Sequence, residues 1–298
     1  TKAQLTESFT DGDITTSPAW GGGLADFTVN PAFQLQSNNS IVNSTYYLST
    51  ASTLATTAQW EFYHQISFNP SSANYTDVFL TASASDLTAT TTNGYFVRIG
   101  NTADEIALYR KDGAVVTKII DGVDGTLNTS NNIMKIKVVR NAANQFTLNR
   151  DLTGTGNSYF TEGVVTDVTY TTSAFFGILI KQSTASFFQR HFFDDITVQV
   201  FVPDVTAPTL ISATALTSST LDVLFNEAVD LATSQAMANY VVNNSVGSPL
   251  TAIRDATNLA LVHLTFASNF PLRTNLQLTV NGVRDLSANA ISNATTTF

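Results

Sequence analysis

The chain has 298 residues, of which 43% are hydrophobic and only 12% charged, so Ser, Thr and Asn must supply most of its polar surface. Fourteen Lys and Arg against 23 Asp and Glu give a formal net charge of −9, which would repel a phosphate backbone and excludes nucleic acid as an expected partner. Cysteine is absent, which excludes disulfides, thiolate metal sites and a cysteine nucleophile.

Strands are predicted through the first two thirds of the chain, because Val, Ile, Thr, Phe and Tyr alternate there with polar residues. The clearest predicted strands are 59–68, 76–82, 94–99, 105–110, 115–120, 132–140, 145–150, 174–181 and 187–200. Turn pairs such as Asn93-Gly94 and Asp112-Gly113 separate them. Strands spaced by about 8–12 residues without intervening helices predict an antiparallel sandwich or barrel.

A domain boundary is predicted where Pro203 and Pro208 interrupt the strand pattern and force extended backbone. We therefore expect a first domain at residues 1–203 and a second at 204–298. The second has its own predicted strands at 209–215, 220–225, 240–243, 259–266 and 275–280. About seven short strands in this length suit an immunoglobulin-like sandwich.

Three segments of the first domain carry a family resemblance: 93–100 (NGYFVRIG), 104–110 (DEIALYR) and 192–198 (FFDDITV). They resemble the concanavalin A-like, laminin G or jelly-roll domains of secreted surface proteins in Bacteroidetes-type bacteria, and the likeness covers residues 5–200. The resemblance implies a jelly-roll sandwich. It does not specify a ligand, because this architecture hosts lectins, carbohydrate-binding modules, glycosidases and adhesive spacers.

The second domain is similar to bacterial Ig-like domains of S-layer and cell-surface proteins. The matching segments are 204–208 (DVTAP), 221–230 (LDVLFNEAVD), 239–242 (NYVV) and 283–291 (VRDLSANAI). Together the two resemblances imply an all-β chain, a jelly roll followed by a smaller Ig-like sandwich, that is secreted or held at the cell surface as a portion of a longer exported protein. We expect a monomer. Membrane insertion is not expected, since no apolar run reaches the roughly 18–20 residues of a membrane span.

Acidic residues are concentrated at both ends of the first domain, with Glu7, Asp11 and Asp13 near its start and Asp194 and Asp195 in its last predicted strand. The first and last strands of such sandwiches commonly neighbour each other, which would bring these carboxylates together. Carboxylate oxygens suit Ca²⁺, and the jelly-roll resemblance also implies a structural calcium that ties the terminal strands. The alternative is that the N-terminal members form an exposed turn.

Binding of a carbohydrate needs aromatic rings that stack on sugar rings, with polar groups nearby for the hydroxyls. The predicted ligand-binding residues are Trp20, Tyr63, Gln65, Asp77 and Arg98, with Tyr95, Tyr109 and Tyr159 as further aromatic candidates. Trp20 stands in a Gly-rich loop, where it either stacks on a sugar or closes one end of the sandwich.

Catalysis is not expected. Glycosidases of this fold carry the motif Glu-x-Asp-x-x-Glu on one strand, and this sequence does not contain it. The one pair of carboxyl groups considered for hydrolysis is Glu61 with Asp77, which we expect on neighbouring strands. There is no Gly-x-Ser-x-Gly motif for a nucleophile. His64 shares its strand face with Trp60 and Phe62, which predicts an interior histidine rather than a catalytic base.

Two functions therefore remain. The first is a non-catalytic module for carbohydrate binding or adhesion, with a polysaccharide or cell-surface glycan as partner and the Ig-like domain as spacer. The second is a purely structural stalk or adhesin segment without a small-molecule site. Two or three aromatic side chains clustered on one concave sheet would favour the first, whereas glycoside hydrolysis is the least favoured of the activities considered.

Overall fold

The computed structural model describes residues 3–272 and 274–298 and divides the chain into two compact units, the first ending at Val202 and the second beginning at Pro203. The strands of the first unit are β1 (Leu5–Glu7), β2 (Gly21–Gly22), β3 (Phe27–Val29), β4 (Leu35–Ser37), β5 (Ser44–Ala51), β6 (Ala58–Ile66), β7 (Tyr75–Ala82), β8 (Gly94–Gly100), β9 (Glu105–Asp112), β10 (Val115–Ile120), β11 (Asn132–Arg140), β12 (Gln145–Asp151), β13 (Phe160–Thr166), β14 (Phe175–Gln182) and β15 (His191–Val200).

Two antiparallel sheets form the first unit. The eight-stranded sheet has the order β13-β12-β11-β6-β15-β4-β3, with β1 paired to β15, and the seven-stranded sheet has the order β10-β9-β8-β7-β14-β5-β2. One hydrophobic core contains side chains from both sheets, which therefore pack face to face. This is the sandwich that the alternating sequence pattern predicts.

The central strand β6 shows how local sequence produces this arrangement. Burial alternates along all of it, and Trp60, Phe62, His64 and Ile66 are each at most 1% exposed. Successive side chains of a strand point to opposite faces, so this alternation directs one set into the core and the other outward. The predicted interior position of His64 is confirmed.

Several strands were not predicted from the sequence, namely β5, β13 and the short strands before β5. β5 reads STYYLSTA, with Ser and Thr at both buried and outward positions. Such a strand lacks the contrast between large apolar and polar residues that marks β6, so its period of two cannot be recognised from hydrophobicity.

The second unit contains β16 (Leu210–Ala215), β17 (Thr220–Phe225), a single helical turn α1 (Leu231–Ser234), β18 (Tyr240–Val242), β19 (Thr251–Arg254), β20 (Leu261–Thr265), β21 (Gln277–Val280) and β22 (Ala294–Thr297). A four-stranded sheet β16-β17-β20-β19 and a three-stranded sheet β18-β21-β22 share a core of their own that includes Val223, Phe225 and Tyr240. Within the residues described, the structure contains no helix whose length and hydropathy would let it cross a membrane.

Candidate functional site

The outer face of the seven-stranded sheet is unusual because much of it, around β7 and β9, is also buried. On β7, Val78 and Leu80 face the central core, whereas Tyr75, Asp77 and Phe79 point to the other side. Every β7 residue except Tyr75 is nevertheless buried. An antiparallel sheet normally presents polar, exposed side chains on its outward face, so something must cover this one.

The cover is the loop of residues 83–93, which joins β7 to β8. Leu87 at its centre is 1% exposed and packs with Phe79, Phe96 and Leu179. Ser49 Oγ donates a hydrogen bond to the Ser85 carbonyl at 2.8 Å, which fixes the loop to β5. The 83–93 loop therefore forms a wall along part of the sheet.

Beside this wall lies a cavity of about 470 Å³, which we call the outer groove. Its lining includes Tyr75, Asp77, Thr88, Phe96, Arg98 and Lys111. Tyr109 of β9 lies next to it in the same aromatic cluster, with its ring stacked on Phe96 at 5.3 Å between centroids. The volume is within the range of small-molecule sites, about 300–1,000 Å³.

An ion pair forms the polar centre of the outer groove. Asp77 and Arg98 are direct partners in the β7–β8 register, and Arg98 Nε and Nη2 each donate to a different Asp77 carboxylate oxygen at 2.7 Å. Burial alone would lower the pKa of Arg98, but its hydrogen bonds and charge interaction with Asp77 raise it overall. The guanidinium therefore stays charged.

Three aromatic rings surround that guanidinium. Its carbon lies 4.3 Å from the ring centroid of Tyr75, 5.0 Å from that of Tyr109 and 5.3 Å from that of Phe96. Cations at such distances are attracted to aromatic faces, so the rings hold Arg98 in place. The groove thus offers flat apolar faces beside fixed, charged hydrogen-bonding groups, a combination that suits a hydroxylated ring compound.

Of the predicted ligand-binding residues, the structure brings Asp77 and Arg98 together and places the other three away from them. Trp20 is 4% exposed, packs at 6.2 Å from Phe176 and donates its indole N–H to Glu7 at 3.3 Å. A ring enclosed in the core cannot stack on a ligand. The prediction of a binding role for Trp20 is corrected accordingly: it closes the sandwich.

Tyr63 and Gln65 lie on β6, on the outward face of the eight-stranded sheet. The Tyr63 hydroxyl donates to Gln65 at 3.1 Å. Gly154 lies so close to the Tyr63 ring that a Cβ atom at this position would be 3.1 Å from it. The loop after β12 therefore covers this tyrosine. Because the core separates the two outer faces, Tyr63 and Gln65 cannot share a ligand with Asp77, and their assignment to the same site is corrected.

The same geometry removes the pair of carboxyl groups considered for hydrolysis. Glu61 belongs to β6 and Asp77 to β7, and these strands lie in different sheets rather than side by side. Glu61 points outward beside Lys135, with 3.8 Å between its Oε1 and the lysine Nζ. The two carboxyl groups cannot act on one glycosidic bond.

Sequence reasoning missed Tyr75, Phe96 and Lys181 as groove residues, and it named Tyr109 only as a further aromatic candidate. Their signal is positional: Tyr75 precedes Asp77 by two residues, and Phe96 precedes Arg98 by two, so each shares its partner's strand face. Recognising them required knowing that β7 and β8 are neighbours in register.

The terminal strands do neighbour each other as expected, since β1 pairs with β15 and Glu7 lies opposite Ile196. The N-terminal carboxylates nevertheless have local partners. Glu7 accepts the backbone N–H of Phe9 at 2.7 Å, Asp11 accepts that of Asp13 at 3.0 Å, and Asp13 accepts the Thr16 hydroxyl at 2.6 Å. Asp11 and Asp13 thus form the turn that was the alternative to a metal site.

Asp194 and Asp195 are also used locally. The β15–β6 register shifts between Asp194 and Thr197, and Asp195 adopts a φ of 49° there. Its carboxylate approaches Lys135 Nζ at 3.2 Å, and its backbone N–H donates to Asp194 at 2.8 Å. No three of the five predicted calcium ligands meet within the described residues, so that cluster is corrected to separate local interactions.

Calcium is therefore expected to leave the melting temperature of the first unit unchanged. The carboxylates that would have needed a cation are already stabilised by N–H and hydroxyl donors and by Lys135. Calorimetry of the whole chain in EDTA and then in excess Ca²⁺ measures the effect. A calcium-dependent rise of several degrees in the first unit's transition would contradict this expectation.

The second unit contains the acidic group that the sequence analysis missed. One carboxylate oxygen from each of Asp204, Glu227 and Asp285 lies within 4.8 Å of the others. Asp285 is buried and accepts the backbone N–H groups of Ser287 and Asn289, both at 2.8 Å. All three residues stand in the segments that carry the Ig-like resemblance, but their wide sequence separation concealed that they meet.

Comparison with known proteins supports the architecture of the first unit. No protein-family model matches the chain, and no curated protein matches its sequence. Among solved structures, the exoplasmic/lumenal domain of VIP36 in its Ca²⁺/Man3GlcNAc-bound form is 9% identical, with a TM-score of 0.52, 69% of this chain covered and 92% of that domain. Its Ca²⁺-bound form is 10% identical, with a TM-score of 0.50 and coverages of 67% and 90%.

A carbohydrate-binding module, CBM66 from Bacillus subtilis, is 10% identical, with a TM-score of 0.43 and coverages of 60% of this chain and 94% of the module. At such identities only the fold can be compared, and the comparison with the VIP36 domain is the one that supports the fold. The chain is all-β and contains a lectin-like jelly-roll sandwich of the concanavalin A type.

Proposed function

We propose that the first unit is a non-catalytic carbohydrate-binding module and that the outer groove is its binding site. In this proposal the partner is a polysaccharide or a glycan of a cell surface. The second unit is an Ig-like spacer, each unit folds on its own core, and the protein acts outside the cell or at its surface. The lectin-like fold supports this reading, as does the lumenal or exoplasmic location stated for the VIP36 domain.

The Asp77–Arg98 pair beneath Tyr75 is the observation that carries the proposal. Its side chains are 6% and 16% exposed, so both charges are largely removed from water. Burying an ion pair costs several kcal/mol per ion, and well-packed apolar residues of similar size would commonly be at least as stable. A charged pair kept at the base of an aromatic groove therefore suits recognition better than it suits stability.

The same pair has the chemistry to hold a sugar. Asp77 supplies acceptors and Arg98 supplies donors on one rigid support, and adjacent sugar hydroxyls can use both. The ring of Tyr75 is half-buried, which leaves part of its face for stacking. Both kinds of contact come from strands rather than mobile loops, so the site is organised before the ligand arrives.

Replacing Tyr75 with alanine is expected to weaken glycan binding by about 1–3 kcal/mol, the usual cost of removing an aromatic stacking platform. The experiment is a glycan array on the whole chain, followed by calorimetric titration with the best glycan found. Tyr63→Ala is the matched control, since it removes a half-buried tyrosine from the opposite sheet. Equal affinities of the wild type, Tyr75→Ala and Tyr63→Ala for the glycan would show that the outer groove is not the binding site.

The same array tests the structural alternative. A stalk or adhesin segment without a small-molecule site would bind no glycan on the array, and Tyr75→Ala would then change only stability. Melting curves of each variant separate a lost contact from a lost fold.

A further inference from the structure

Building on the proposed function, we infer that the saccharide bound in the outer groove is anionic, with a carboxylate or a sulfate ester held by Arg98 and Lys181. The groove's uncommitted hydrogen-bonding groups are mainly positively charged donors. A neutral sugar would leave the positive charge in excess, which Asp77 does not balance, without a counterpart.

Arg98 has hydrogen-bond donors that Asp77 does not use. Its Nε and Nη2 are bonded to Asp77, whereas Nη1 has no hydrogen-bond partner among the described residues. A guanidinium presents its N–H groups in a fixed planar fork, so the position of the unused edge is set by the bond to Asp77 and by the ring of Tyr75. That edge is ready to receive an acceptor.

Lys181 adds a second available cation. It belongs to β14, where its Cα is the register partner of Tyr75, and its Nζ lies 5.5 Å from the Tyr75 ring centroid. It makes no ion pair with any residue that the structure describes. The charge of Lys181 also lowers the pKa of Asp77, although burial, the largest effect, raises that pKa overall. Lys181 and Arg98 thus approach the same tyrosine.

Lys111 completes the group at the loop side of the groove. It is only 8% exposed, and its Nζ donates to the carbonyls of Ala89, at 3.0 Å, and Gly113. Asp86 of the 83–93 loop lies near it and itself accepts the Thr88 N–H at 2.9 Å.

The charge balance of the groove is opposite to that of the chain. Three cations, Arg98, Lys111 and Lys181, face two carboxylates, Asp77 and Asp86, which leaves one positive charge in excess. The whole chain carries a net charge of −9. A local positive excess in a partly desolvated site favours a negatively charged ligand, and charge-assisted hydrogen bonds are about twice as strong as neutral ones.

Paired saccharides test the inference on the whole chain. An oligogalacturonide is compared with its methyl ester, which keeps the same sugar chain but removes the charge, and a sulfated galactan oligosaccharide is compared with its desulfated form. We expect at least one acidic member to bind about tenfold tighter than its neutral partner, and this preference to shrink between 50 and about 500 mM salt.

Lys181→Gln should reduce binding of that acidic probe by about tenfold and leave the neutral partner within about twofold. Lys137→Gln is the matched control, because the Lys137 Nζ also lies over a tyrosine, at 4.1 Å from the Tyr159 centroid, but on the other sheet. A preference confined to the carboxylated pair or to the sulfated pair identifies the anionic group.

Equal affinity for acidic and neutral members, with Tyr75→Ala still weakening both, would overturn the anionic inference and leave carbohydrate binding intact. Equal loss of acid binding in Lys181→Gln and Lys137→Gln would also overturn it, since a general charge effect would then explain the preference. Absence of binding to every saccharide, on these probes and on the array, would instead reject the proposed function itself.

Discussion

Acidification from pH 6.5 to about 4.5 is expected to remove several kcal/mol from the unfolding free energy of the first unit, a large fraction of a typical domain's stability. The cause is a pair of histidines, His64 and His191, both 0% exposed within the core. Burial lowers the pKa of His64 to about 3, against the opposing bond to the Phe192 carbonyl. Burial, followed by the charge of His64, lowers the pKa of His191 well below its usual value.

The hydrogen bonds of these two histidines are compatible with neutral rings. His64 Nδ1 lies 2.9 Å from the Phe192 carbonyl oxygen, and its Nε2 lies 3.2 Å from the Thr76 hydroxyl. That hydroxyl lies 3.0 Å from His191 Nδ1. The bonds are satisfied when each ring carries its proton on Nδ1, Thr76 donates to His64, and His191 donates to Thr76.

The direction of the pH effect follows from proton uptake. An unfolded histidine has a pKa near 6.5, so between that value and the lower folded pKa the unfolded chain binds protons that the folded chain excludes. Stability is thus at its full value above about pH 6.5 and decreases as the pH falls toward the folded pKa. Each histidine contributes about 1.4 kcal/mol per pH unit in this window.

Calorimetry of the whole chain between pH 7 and 4.5 measures the effect. The second unit serves as an internal reference, because the hydrogen bond that the His263 ring donates to Asp222 raises the pKa of His263 and gives the opposite pH dependence. The contribution of His263 is full below about pH 6.5 and fades as the pH rises. His191→Gln should reduce the pH slope of the first transition by about half, and His64→Gln likewise. A wild-type first transition that ignores pH over this range would contradict the assignment of both rings as neutral.

Breaking the Asp77–Arg98 pair from one side is expected to cost about 3–5 kcal/mol of unfolding free energy in either Asp77→Leu or Arg98→Met, because each leaves one buried charge without a partner. The double variant Asp77→Leu/Arg98→Met should recover most of that loss, since it removes both charges and keeps similar volume. Glycan binding should be lost in the double variant despite its restored fold. Such a result would separate recognition from stability at one pair of residues.

Urea unfolding of the four proteins in the cycle gives the coupling free energy, and titration with the glycan found on the array gives the binding loss. The control variant for binding changes Lys118, which lies near the edge of the same sheet and outside the outer groove. Its Nζ donates to Glu105 at 2.5 Å. Lys118→Met should leave binding unchanged. A double variant that still binds the glycan with wild-type affinity would show that the Asp77–Arg98 pair is structural.

Local sequence is enough to predict which side of a strand faces the core wherever large apolar residues alternate with polar ones. On β6, the alternation places Trp60, Phe62 and His64 on one face and Glu61 and Tyr63 on the other, as the structure has them. This works because strand geometry fixes a period of two that depends only on local backbone. The same local pattern also indicated an all-β chain and the absence of long helices.

Local sequence does not reveal which strands are neighbours or what covers their outer faces. Glu61 and Asp77 lie on strands that follow each other in sequence, yet these strands belong to opposite sheets, whereas β6 pairs with β15 from the far end of the unit. A strand's own period carries no information about its partner, because pairing depends on contacts between distant segments.

The outer groove shows the same limit. Asp77 and Arg98 could be selected as polar residues, but their union depends on the β7–β8 register, and their burial depends on the 83–93 loop with Leu87 at its centre. The loop reaches over the sheet through packing and a hydrogen bond to Ser85 that no local propensity encodes. The faces of the strands are thus a property of local sequence, while the site is a property of long-range packing.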